Sequence, residues 1–215
     1  MKGVPKKHMI SRFGLKKACL LLPLVIAIAQ ISALATFSHA SPSPLREYER
    51  IGEVNCDDIQ GPSPHNSAGT FFSQGLACYD EGRWQEAIKA FERAALVEPH
   101  YELAYFALGI TYSRLEFWEK ALASFAKAVT LSPHHAESYL GLGVTYTVLG
   151  RNNEALEVCR KAVQIKPEYA QAHYALALIY LKLGDKASAL KEWEVLKRLD
   201  RDLADEAIQL IGEGE

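Results

Sequence analysis

Three prolines, Pro99, Pro133 and Pro167, stand 34 residues apart, and that spacing constrains the fold more than any other feature of the chain. Proline ends a helix because it lacks an N–H and its ring clashes with the preceding turn. Stops at equal intervals therefore divide the chain into equal units, and a unit of this length holds one helix, a turn and a second helix. Between Pro99 and Pro133, the residues from Glu102 to Tyr112 and from Glu119 to Leu131 carry apolar side chains at helical spacing, with a break at Leu115, Glu116, Phe117 and Trp118. One such hairpin cannot bury its own apolar stripe, so several must stack. The expected fold class is all-α, an α-solenoid of stacked antiparallel helix hairpins.

Placing the units in register exposes their recurring columns. Residues 102–135 contain Tyr105, Leu108, Gly109, Tyr112, Ala121, Phe125, Ala128 and Pro133. Residues 68–101 offer Phe71, Gly75, Ala87, Phe91, Ala94 and Pro99, with Gln74 and Cys78 in the Leu and Tyr columns. Residues 136–169 offer Tyr139, Leu142, Gly143, Tyr146, Ala155, Ala162 and Pro167, with Cys159 in the aromatic column. Residues 170–201 keep Leu176, Tyr180 and Ala189 and drift to His173, Ala177, Trp193, Leu196 and Arg201 elsewhere. The tiny residues Gly75, Gly109, Gly143 and Ala177 permit close helix approach, and Ala87, Ala121, Ala155 and Ala189 do the same on the second helices. Gly82, Gly150 and Gly184 suit the left-handed residue that follows a helix, with Glu116 in that place in the unit 102–135. These columns resemble the tetratricopeptide repeat (TPR) in four successive units. The resemblance implies a right-handed superhelix that binds protein along its inner surface.

The ends follow a different composition. Residues 1–40 contain no Asp or Glu; Lys2, Lys6, Lys7, Arg12, Lys16 and Lys17 precede an uncharged apolar run over residues 18–37. This is a leader. Ser38, His39 and Ala40 suit signal-peptide cleavage after Ala40, which would make the protein periplasmic in a bacterial source; the rival is an uncleaved inner-membrane anchor whose only membrane contact is residues 18–37. Residues 41–67 read as a linker in which Leu45, Tyr48, Ile51 and Val54 recur every third residue, marking a short amphipathic segment or a plain tether. Residues 202–215 read as a capping helix, with Leu203, Ala204, Ala207, Ile208, Leu210 and Ile211 on one side and Asp205, Glu206 and Gln209 on the other.

Charge and cysteine content narrow the partners. Removing residues 1–40 takes six basic side chains from a chain of 24 basic and 26 acidic residues, leaving a formal charge of −8. Such a surface repels phosphate backbones, so no nucleic-acid partner is expected. The leader also removes Cys19, one of four cysteines. Cys56, Cys78 and Cys159 remain, an odd number that argues against a disulfide framework. Cys78 and Cys159 read as small buried hydrophobes, while a Cys56–Cys78 pair stays open.

The resemblance places the ligand surface on the first helix of each unit. The positions one turn apart there are Phe72, Leu76 and Tyr79; Phe106, Ile110 and Ser113; Leu140, Val144 and Thr147; and Tyr174, Leu178 and Leu181. Some family members grip a C-terminal carboxylate there with Lys, Arg and Asn. The matching residues here, Phe72, Leu76, Ala107, Glu137 and Gly141, or one unit along Phe106, Ile110, Gly141, Gln171 and Ala175, cannot. An apolar groove for a hydrophobic or amphipathic protein segment is the expected site. The competing readings are side chains that are mostly inter-helix core, or a groove filled by Leu45 to Val54. His100, His134, His135, Glu168 and Asp202 sit in equivalent loops, too far apart to share a zinc ion, and His173 reads as a packed helix residue. No phosphate loop, nucleophile motif or carboxylate pair is present. The sequence thus points to a non-enzymatic scaffold or adaptor of the cell envelope with a protein partner, no cofactor and no metal; the alternative is a membrane-anchored structural array that assembles with its own copies.

Overall fold

The computed structural model describes Cys56 and residues 67–212, all within one compact unit, Pro42–Glu215. Residues 1–55, which include the expected leader and the Leu45–Val54 segment, and residues 57–66 and 213–215 lie outside the described residues.

Those residues form nine α-helices and no strand. They are α1 Ala68–Asp80, α2 Trp84–Val97, α3 Glu102–Arg114, α4 Trp118–Leu131, α5 Ala136–Val148, α6 Asn152–Ile165, α7 Ala170–Lys182, α8 Lys186–Leu199 and α9 Arg201–Gly212. Helices α1 to α8 pair consecutively into four hairpins, each packed on the next, and α9 lies against α8 and α7. The fold is an all-α helical repeat.

One turn closes all four hairpins. Gly82, Glu116, Gly150 and Gly184 take positive φ, and the residue after each donates its N–H back across the helix end: Arg83 to the Cys78 carbonyl, Phe117 to Tyr112, Arg151 to Tyr146 and Asp185 to Tyr180, all at 2.8–2.9 Å. This satisfies carbonyls that the helix leaves without a partner. It also fixes the same reversal in every unit.

Tight helix crossing is bound to the small residues. Ala87, Ala121, Ala155 and Ala189 are all fully buried. A Cβ on Gly109 would sit 2.7 Å from the Phe125 ring, and one on Gly141 would sit 2.6 Å from the same ring. Phe125 therefore fills space left by glycines on two successive first helices, α3 and α5. In the next unit Cys159 occupies that column and lies directly over Gly143.

Cys78 is not a free buried thiol. It is joined to Cys56 by a disulfide with a Cα–Cα distance of 5.0 Å, which corrects the reading drawn from the odd cysteine count. The odd cysteine is Cys159, buried and unbonded, with burial pushing its thiol up to about 12.

Candidate functional site: the first-helix surface

Helices α1, α3, α5 and α7 form one layer of the stack, with direct contacts from α3 to α5 and from α5 to α7. The twelve side chains expected to line it divide into two groups. Leu76, Phe106, Ile110, Ser113, Val144, Leu178 and Leu181 are half-exposed, whereas Phe72, Tyr79, Leu140, Thr147 and Tyr174 are buried. The second group corrects the expectation, because enclosed side chains cannot touch a partner.

Each burial has a local cause. Phe72 packs on the Phe91 ring at 5.5 Å and edge-on to Tyr101 at 5.3 Å. Tyr79 meets the edge of Trp84 at 4.8 Å, and its hydroxyl accepts from Arg114 Nε at 3.1 Å. Leu140 belongs to the core shared with Leu176 and Ile179. Thr147 donates to the Gly143 carbonyl of its own helix at 2.9 Å. The Tyr174 hydroxyl donates to Glu206 of α9 at 2.6 Å, so the terminal helix covers this layer at the fourth unit. Burial first, and the Glu206 carboxylate second, hold the Tyr174 phenol well above its usual range.

The open positions form an apolar line with polar edges. Phe106 stacks edge-on against the His135 ring at 4.9 Å and tilts over Phe125 at 6.0 Å. Desolvation lowers the His135 pKa, so the ring presents a neutral aromatic surface at pH 7. Val144 and Leu181 pack on the rim of the core. Ser113 turns its hydroxyl back to the Gly109 carbonyl at 2.8 Å, leaving little polarity to offer. Glu137 is engaged by Lys166 at 3.1 Å and faces His135 Nε2 at 3.7 Å. Burial opposes its ionisation, but its own backbone N–H and Lys166 outweigh that and lower its pKa.

Sequence reasoning missed two groups on this layer. In the sequence Gly141 stands only as a position unable to bind carboxylate, yet its missing Cβ seats Phe125; the glycine itself was the available signal. Arg114 stacks over Trp84 at 5.6 Å and Tyr79 at 6.0 Å, and its place at the end of α3 gave no hint of that. His173 is a packed helix residue, buried between Glu192 and the Pro167 carbonyl. Among the described residues no group of three His, Cys, Asp or Glu side chains could hold a metal ion. No described helix is long and apolar enough to cross a membrane.

Comparison with known proteins agrees with this architecture. A family model described as TPR repeat matches residues 75–116 and 145–184, and one described as tetratricopeptide repeat matches residues 103–135. The chain is a tetratricopeptide repeat protein. No curated protein matches its sequence. Among solved structures, this TPR chain is similar to TTC0263, a thermophilic TPR protein of Thermus thermophilus, at 25% identity and a TM-score of 0.59, over 68% of this chain and 84% of that one. It is similar to MamA at 22% identity and a TM-score of 0.61, over 75% and 89% of the two chains. The third is YrrB, a TPR protein with an unusual peptide-binding site, at 22% identity and a TM-score of 0.60, over 68% and 76%.

Proposed function

We propose that this TPR protein is an exported scaffold that holds a hydrophobic or amphipathic segment of another protein along its first-helix layer. The observation that carries the reading is the set of half-buried apolar side chains Leu76, Phe106, Ile110, Val144, Leu178 and Leu181 on successive first helices. Exposed apolar side chains that adjoin one another on successive elements mark interaction surfaces, and an amphipathic helix or extended strand fits such a line through spaced apolar anchors. The similarity to YrrB, whose structure has a peptide-binding site, supports a peptide-like ligand. Export is supported by the basic, apolar leader and by the Cys56–Cys78 disulfide, since structural disulfides persist in oxidising compartments.

The test places a photo-crosslinking residue at Phe106 and identifies by mass spectrometry the segment captured from an envelope fraction of the source organism. The expected product is one recurrent segment with apolar residues at helical or alternating spacing. The double substitution Ile110→Asp and Val144→Asp should abolish the crosslink with far-ultraviolet circular dichroism unchanged. Equal capture by the folded double variant would exclude the groove. N-terminal sequencing of the mature protein separates cleavage after Ala40 from an uncleaved anchor.

A further inference from the structure

The outward face of α1 is covered although no described helix precedes it. In the later units the corresponding face packs on the second helix of the unit before. The Tyr112 hydroxyl donates to Glu92 of α2 at 2.8 Å, and the Tyr180 hydroxyl accepts from Arg160 of α6 at 2.8 Å. The first-unit residues in the same three columns are Phe71, Gln74 and Cys78, and they are only 7%, 5% and 0% exposed. Their counterparts in the second unit are no better covered: Leu108 and Tyr112 are 5% and 8% exposed and Tyr105 is half-buried, on a helix packed against α2. Arg93 over the Phe71 ring at 5.5 Å is matched by Lys127 over Tyr105 at 5.9 Å, so this flanking contact does not explain the difference.

Two observations name the occupant. Cys56 is itself fully buried and bonded to Cys78, so the chain that precedes it in sequence is tethered within reach of this face. That chain carries Leu45, Tyr48, Ile51 and Val54 on a three-residue spacing. As a helix, residues 45–54 would run about 15 Å, enough to cover the roughly 10 Å from Phe71 to Cys78. Gln74 Oε1 is buried with no hydrogen-bond partner, a site where the occupant has a donor to supply.

We propose that residues 45–54 dock as a short amphipathic helix on the outward face of α1, where the second helix of a preceding repeat would lie, and that the Cys56–Cys78 disulfide locks this N-terminal cap in place. A solenoid end needs a cover with a polar outer side, and Arg46, Glu47, Arg50 and Glu53 supply one between the apolar positions. Reduction would release the cap and open an apolar end face. The proposal is independent of the groove reading, because it concerns the end of the stack and not its first-helix layer.

The test is hydrogen exchange on the oxidised full chain, on Tyr48→Asp/Ile51→Asp with the disulfide intact, and on Cys56→Ser/Cys78→Ser. Amides of residues 47–54 should be protected in the oxidised protein. Both variants should exchange α1 amides at least tenfold faster than wild type, with α5 to α8 unchanged. Should the aspartates prevent folding, Tyr48→Ala/Ile51→Ala is read in the same way, with a smaller acceleration of α1. Wild-type protection of α1 in the disulfide-intact variants would overturn the proposal. So would acceleration confined to α3 and α5, which would place the segment in the groove, or α1 protection that rises with protein concentration, which would make a second copy the cover.

Discussion

Glu116 occupies the left-handed residue of its hairpin with φ 59, where the other three units have Gly82, Gly150 and Gly184 with φ 75–79. A side chain there crowds its own backbone, at a cost of about 1 kcal/mol. Glu116 is exposed at the turn between α3 and α4, so its removal disturbs no core. Glu116→Gly should therefore stabilise the protein by up to about 0.5 kcal/mol, the relieved strain outweighing the extra freedom of glycine in the unfolded chain. Urea unfolding followed by circular dichroism measures it, and a lower midpoint for the variant would show that the turn stores no such strain. The reverse substitution in another unit, Gly150→Glu, should cost a similar amount, since nothing lies within 4 Å of a Cβ built there and only the backbone conformation is at stake.

Helices α7 and α8 are joined by a side-chain hydrogen bond as well as by packing. The Pro167 carbonyl, 2.9 Å from His173 Nε2, can only accept, and Glu192 Oε2 lies 2.7 Å from Nδ1. A ring that donates on both sides is an imidazolium, and the Glu192 hydrogen bond is the main reason the His173 pKa rises above its ordinary 6.5. A raised folded-state pKa gives stability that is complete below the unfolded value and is lost as pH rises through the folded one. Glu192→Gln should thus cost about 1.5–3 kcal/mol near pH 6, and the gap from wild type should narrow as the pH is raised past the shifted value. Parallel stability profiles for the two proteins would remove His173 protonation from the account. The hairpins themselves were legible in the sequence, because each turns on one left-handed residue and the first three end at a proline. Which first-helix positions stay open was not, because that layer is enclosed on several sides by other helices, so its helices are apolar nearly all round and periodicity cannot tell an open position from a closed one. Tyr174 shares the register of Phe106, yet only the position of Glu206 on α9 decides that it is covered.

At the scale of the whole stack, stability is a sum of units and the interfaces between neighbours, so what happens at one end is felt unevenly along the chain. The disulfide ties Cys56 to Cys78 across a sequence separation of 22 residues. Closing a loop of that size restricts the unfolded chain by an amount worth about 3 kcal/mol. Cys56→Ser/Cys78→Ser, or reduction of the wild type, should lower the unfolding free energy by about that much. In a globular core the loss would shift a single transition. Here, among the described helices, the first hairpin packs chiefly on the second through α2 and α3, so the loss should separate α1 and α2 from the rest, and Trp84, in the first hairpin, should report unfolding at lower urea than Trp193, in the fourth. Single-tryptophan variants follow the two ends independently. Coincident transitions in the reduced protein would mean that the interface between α2 and α3 is strong enough to keep the stack cooperative without its covalent tie, and an unchanged midpoint would mean that the disulfide contributes nothing to the stability of the first unit.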